Sequence, residues 1–161
     1  MQKYHLNNRP DRELTDQSEI SKILKNGKYA VISMCRDNEP YIVTLSYGYD
    51  AEKNSLYFHC SPHGLKLDFI ITNPQVCATV IEDGGYIVNE CGHNYRTAVF
   101  QGTIKIVSDL DEKKLGMKVL LNHLECQPNI IKEKLIKSDD FYSKMVILRL
   151  DIVEIHAKAG K

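Results

Sequence analysis

Between Leu56 and Pro74 the chain reads "LYFHCSPHGLKLDFIITNP", and five residues with chemistry to offer fall within eight positions: His59, Ser61, His63, Gly64 and Lys66. Leu56, Phe58 and Cys60 alternate with Tyr57, His59 and Ser61, so one set enters a core and the other stands on the opposite face. Pro62-His63-Gly64 breaks that strand. Leu65, Leu67, Phe69, Ile71 and Thr72 then follow at helical spacing until Asn73-Pro74. A helix amino end offers free N–H groups and partial positive charge, and a lysine beside it completes a place for a phosphate.

Further along, Arg96 shares a strand face with Ala98, Phe100 and Gly102. A guanidinium among such neighbours needs a partner, and an internal carboxylate, Asp68 or Glu90, serves as well as a ligand phosphate. Gly102 in mid-strand marks a bulge or a close approach. Cys60 with His63 and Cys91 with His93 could be drawn as two pairs of metal ligands, but Cys60 alternates with apolar residues like a small core hydrophobe, so no metal is assigned. Cys91 with His93 nearby could form a nucleophile and base, yet no acyl-transfer motif surrounds them.

The elements that must position these groups are legible in outline. Asp16 and Glu19 stand at capping spacing before Ile20, Ile23 and Leu24, with Gly27 as the stop of a short helix. Strands follow at 28–35, 41–50 and about 55–61, joined by the turns "RDNEP" and "AEKN" into an antiparallel meander. In the second strand Tyr41, Val43, Leu45, Tyr47 and Tyr49 share one side, opposed by Ile42, Thr44, Ser46 and Gly48. That small face suits either a flat ligand or an ordinary solvent-facing side. After the helix, a strand at 76–82 leads to an irregular glycine-containing segment, "DGGYIVNECGHN", and a long strand at 95–107. Ser108 with Asp111 can cap a helix carrying Leu110, Leu115, Val119 and Leu120. "PNIIKEKLIK" is a second helical piece, and "YSKMVILRLDIVEIHAK" closes the chain as a strand. At least six strands without regular βαβ alternation argue for one α+β domain over 1–161, mainly β, on an antiparallel sheet or barrel.

Composition narrows the function classes. The 161 residues carry 21 basic and 21 acidic side chains, without a basic stripe interleaved with aromatics, which disfavours nucleic acid. No apolar run approaches a membrane span, and the polar start lacks a signal-peptide core, so the expected compartment is the cytoplasm. Five widely spaced cysteines, 35, 60, 77, 91 and 126, read as reduced and mostly buried thiols.

The capped helix ending in Gly27-Lys28-Tyr29, the strands "PYIVTLSYGYD" and "SLYFHCSPHGLKLDFIITNPQVCATV", and "YRTAVFQGTIKIV" together resemble the pyridoxamine 5′-phosphate oxidase-like FMN-binding split barrel proteins. Within them the likeness is to the 5-nitroimidazole antibiotic resistance group, and it extends from Asp11 to Val107. It implies an antiparallel split β-barrel with inserted helices that forms a homodimer and binds flavin, FMN or alternatively FAD, at the subunit interface. By that likeness His59, Cys60, Ser61, His63, Gly64 and Lys66 surround the phosphate and ribityl chain. Val43, Thr44, Leu45 and Ser46 meet the ring, while Tyr95, Arg96 and Thr97 complete a site, that of the partner subunit being one choice. Thr97 stands where the family has serine, and the arginine-rich phosphate pattern of true pyridoxamine phosphate oxidases is absent. The implied activity is reduction of a nitro-aromatic or similar small acceptor, with His59 as the candidate catalytic residue. The alternatives are a flavin- or haem-binding protein without turnover, with His59, His63 or His93 as an axial ligand, and a dimer with an empty cleft.

Overall fold

The computed structural model describes residues 9–160. The polar amino-terminal stretch is outside the described residues as far as position 8. A single turn of 3-10 helix, Pro10–Arg12, leads into β1 (Glu13–Leu14). Helix α1 (Gln17–Asn26) begins where the Asp16 carboxylate accepts from the Ser18 N–H at 2.8 Å, and it buries Ile20, Ile23 and Leu24. The meander consists of β2 (Tyr29–Arg36), β3 (Glu39–Asp50) and β4 (Ser55–Cys60). Positive φ at Asp37 and Asn38, and at Asn54, turns the chain between them. Helix α2 (Leu65–Thr72) precedes β5 (Gln75–Ile87) and β6 (Gly92–Ile106). Three helices, α3 (Leu110–Leu124), α4 (Pro128–Leu135) and α5 (Asp140–Ser143), come before β7 (Val146–Gly160).

The strands run β1-β7-β4-β3-β2-β5-β6, and β6 pairs again with β7, so six antiparallel strands close into a barrel. The closing strand works on both edges. One edge of β7 follows β6 from Ile106↔Leu148 to Tyr95↔Gly160; the other pairs with β4 and then, beyond it, with β1. Inward-facing residues, among them Ile32, Tyr47, Phe58, Phe100 and Leu150, are fully buried and form one core with the apolar stripes of α1 and α2. The Tyr47 hydroxyl donates to the Leu24 carbonyl at 2.6 Å, fixing the end of α1 to the barrel.

The structure adds to and corrects the sequence outline. The segment after Glu82 is ladder rather than irregular chain: β5 and β6 form a long hairpin with a bulge between Asp83 and Tyr86. On the face of β4 opposite the core, α3 covers Tyr57, and a second cluster forms from Tyr57, Val107, Met117, Leu120, Tyr142, Met145 and Ile147. The cap of α3 is Asp109, whose carboxylate accepts from the Glu112 N–H at 2.8 Å, and not Ser108. Ile71 is exposed, since so short a helix buries one narrow stripe, Leu67, Phe69 and Ile70. Gly102 is a close approach as its place implies, lying against the Asp151 backbone where the β6–β7 register shifts.

Among the described residues no helix is long and apolar enough to cross a membrane. All five cysteines are free, but only Cys60 is buried; Cys77 is half-buried, and Cys35, Cys91 and Cys126 are exposed at a strand end, a turn and a loop. The expectation of mostly buried thiols is therefore corrected.

Candidate functional site

A ladder that stops early opens the site. The β3–β4 register runs from Asp50↔Ser55 only to Tyr47↔Phe58, although both strands continue. On its other edge β3 stays paired with β2 from Ser46 to Glu39. The Tyr47 N–H donates to the Lys28 carbonyl at 3.3 Å, so Tyr47 and alternate residues before it turn their main-chain groups to β2. Thr44 and Ser46 then turn theirs to the β4 side, where no strand of the described residues pairs with them. Unpaired backbone donors and acceptors on a sheet edge must find water or a ligand.

A cleft of about 530 Å³ meets that open edge. Its sheet wall is Thr44, Leu45, Ser46 and His59, and its opposite wall is apolar, with Met117, Leu120, Leu121 and Leu124 of α3, Ile131 and Leu135 of α4, Ile136, Phe141 and Met145. Glu125, at the end of α3, is the single acidic side chain of the lining. Such a slot suits a flat, largely apolar ring with polar edges. Two glycines set its shape. A β-carbon at Gly48 would lie 2.6 Å from the Leu120 nitrogen, and one at Gly116 would lie 2.7 Å from the Tyr57 ring, so α3 sits directly on the outer barrel wall.

Of the residues singled out from sequence, Thr44, Leu45, Ser46 and His59 come together in this cleft. Val43 instead packs against the barrel core. Cys60 is a buried core member; burial pushes its thiol pKa up, partly offset by the nearby Lys66 ammonium. Ser61, His63 and Gly64 form the exposed turn that follows β4. Gly64 takes φ +141°, open to glycine alone, and no side chain caps α2. The Lys66 ammonium folds back to 3.5 Å from where a Gly64 β-carbon would stand. Cation and helix amino end therefore face the same turn, beyond the cleft lining.

Tyr95, Arg96 and Thr97 are elsewhere in the protomer. The Arg96 guanidinium binds Glu19 at 2.7 Å and lies 3.6 Å from Glu82, so its carboxylates are neither Asp68 nor Glu90. Glu82 is its direct cross-strand partner, a neighbour set by hairpin register rather than by sequence distance. The Tyr95 hydroxyl accepts from Arg12 at 3.2 Å. Thr97 carries a buried hydroxyl with no hydrogen-bond partner among the described residues. No three His, Cys, Asp or Glu side chains of the described residues gather as metal ligands. His93 binds Asp83 at 2.7 Å, and Cys91 sits near the Tyr86 hydroxyl at 3.8 Å.

Sequence reasoning missed the apolar wall. The available signal was α3 itself, which carries Met117, Leu120, Leu121 and Leu124, a wider apolar arc than a helix needs to cover one side of a barrel.

A sequence profile described as pyridoxamine 5′-phosphate oxidase matches residues 16–159. The chain belongs to the pyridoxamine 5′-phosphate oxidase family. Solved structures share the family barrel. A Bacteroides thetaiotaomicron protein provisionally assigned to 5-nitroimidazole antibiotic resistance superposes with TM-score 0.77 at 19% identity, over 92% of this chain and 86% of its own. An FAD-binding protein from Mesorhizobium loti gives 0.68 at 23% identity, over 93% and 98%. An FAD and haem binding protein from Mycobacterium smegmatis gives 0.78 at 18%, over 93% and 74%. At these identities the likeness establishes a common split β-barrel. Among curated proteins, an uncharacterised Rhizobium meliloti (strain 1021) protein is 33% identical over 66 residues, 41% of this chain. The match spans 42% of that relative's length.

Proposed function

We propose that the chain is a flavin-binding oxidoreductase of this family that works as a homodimer and reduces a nitro-aromatic or similar small acceptor. The observation that carries the reading is the unpaired β3 edge at Thr44 and Ser46 opening into an apolar cleft of about 530 Å³. The donor set fits a flavin: main-chain groups and small hydroxyls for the polar edge of the ring, an apolar wall for its face, and the Gly64–Lys66 turn for a phosphate. FMN is the smallest flavin that satisfies all three. When bound, flavin supplies the electron transfer that no side chain of the cleft can supply.

The residues have distinct tasks. Thr44 and Ser46 orient the ring through the strand edge, and Met117, Leu120 and Phe141 exclude water from its face. His59, exposed on the cleft side of β4, holds or gives the proton that a reduced acceptor needs. Lys66 anchors the phosphate. The partner supports the dimer reading by what the protomer leaves uncovered: Tyr29 is 54%, Ile42 64% and Ile81 46% exposed on outward-facing strand positions. A second copy on that face would bring its Tyr95–Thr97 segment to the cleft. The expected compartment is the cytoplasm.

One observation favours a second reading, haem. His59 looks into a cleft that Met117 and Met145 also line, and imidazole and thioether are both axial ligands. The absorbance spectrum of the protein purified without added cofactor tests both. A two-banded flavin spectrum, released as FMN on heating, supports the first reading, and a Soret band moves the assignment to haem. A colourless protein that also fails to take up added flavin overturns it. Loss of a nitro-aromatic coupled to oxidation of a nicotinamide donor then tests turnover, and sedimentation tests the dimer.

A further inference from the structure

On the far side of the α3–α4 wall lies a second pocket, of about 470 Å³. It is bounded by Lys114 and Lys118 of α3, Lys132 of α4 and Lys137 of the following loop, above an apolar floor that includes Leu121 and Ile136. Four lysines from three segments therefore line one concavity, in a chain whose basic and acidic residues are equal in number. Asp139 is the single carboxylate in the lining, and it is taken by Lys114 at 2.9 Å. Lys118, Lys132 and Lys137 are exposed and make no ion pair with any of the described residues. Bringing like charges together around a concavity is unfavourable until an anion neutralises them, and an apolar floor beneath them recognises a flat body attached to that anion.

We propose that this pocket binds a nucleotide, with the phosphates on Lys118, Lys132 and Lys137 and the base on the apolar floor. A nucleotide matches the site on both counts, since it joins two or more negative charges to a flat ring. Leu121 and Ile136 line this pocket and the β3-edge cleft alike, so an occupant is one side-chain layer from the cleft. The inference is independent of the flavin reading.

Isothermal titration calorimetry of the full chain tests it with three probes: ADP, inorganic pyrophosphate and adenosine. ADP is expected to bind saturably, more weakly as salt rises, and more tightly than either fragment. In Lys118→Gln/Lys132→Gln/Lys137→Gln, ADP binding should fall at least about tenfold, and in Lys66→Ala it should be unchanged. No saturable ADP binding, equal binding by the triple variant, or loss of binding in Lys66→Ala would overturn the proposal. Flavin uptake measured on the triple variant separates the two sites. It is expected to match the parent, so the ADP and flavin results stand or fall separately.

Discussion

Replacing Gly48 by alanine should loosen α3 from the barrel. The added β-carbon would meet the Leu120 nitrogen at 2.6 Å and the Val119 carbonyl carbon at 2.7 Å, where ordinary contact begins at 3.4 Å. These are helix backbone atoms and cannot rotate away, so α3 must retreat by about 0.8 Å. Overpacking of this kind costs roughly 1–3 kcal/mol, and the reduced freedom of the unfolded chain returns about 0.4–1 kcal/mol. A net loss of about 1–2 kcal/mol follows. Gly116→Ala pushes the same helix from the other partner, its β-carbon meeting Tyr57 at 2.7 Å and Ile147 at 2.8 Å, offset by about 1 kcal/mol of helix propensity. Once either change has lifted the helix, the other collides less. The double variant should therefore be less destabilised than the sum of the singles, by roughly 0.5–1 kcal/mol. Urea denaturation followed by circular dichroism, run as a double-mutant cycle, reads each quantity. Because Met117, Leu120 and Leu121 ride on α3, flavin retention should fall in step. A Gly48→Ala protein as stable as the parent, or strict additivity of the pair, would refute the account of how the cleft wall is held.

Three more outcomes are expected. Lys66→Ala should weaken flavin retention by roughly tenfold, the loss of one charge-assisted hydrogen bond of about 1.5 kcal/mol, and unchanged affinity by fluorescence titration would remove Lys66 from the phosphate site. Arg96→Gln should cost only about 0.5–1 kcal/mol, because Arg96 and its partner Glu19 are each about a third exposed, and the difference should shrink in high salt. His123 should make stability fall with acid. Its Nε2 bonds the Gly27 carbonyl at 2.6 Å and its Nδ1 faces the Tyr49 N–H at 3.4 Å, and burial holds its pKa below the ordinary value of about 6.5. The unfolded chain then takes up a proton that the folded one resists. Stability is full above about pH 6.5 and lost as pH falls through the lowered folded value, and His123→Gln should flatten that slope in thermal melts at several pH values.

Much of the barrel was legible because its cause is local. Alternation in "YIVTLSYGYD" separates the inward Tyr41, Val43, Leu45 and Tyr47 from the outward Ile42, Thr44 and Ser46, and the structure keeps that division. The Asp16 cap, the Gly64 break and the close approach at Gly102 also depend on near neighbours or on a missing side chain. Arg96 shows where such reading ends. Its need for a carboxylate follows from its surroundings in the strand, but the choice of Glu82 and Glu19 follows from a hairpin register and a helix docked some 77 positions away in sequence.

The cleft divides in the same way. Residue types alone raised the expectation of a turn suited to a phosphate at His63, Gly64 and Lys66 and of a small polar face at Thr44 and Ser46. Only tertiary structure decided that the β3–β4 ladder stops at Tyr47↔Phe58, that α3 settles onto Gly48 to wall the opening, and that Tyr95–Thr97 lies away from it in the protomer. Periodicity records which face a side chain takes, whereas an unpaired edge and a docked helix arise from contacts between segments far apart in the chain, which no local pattern encodes.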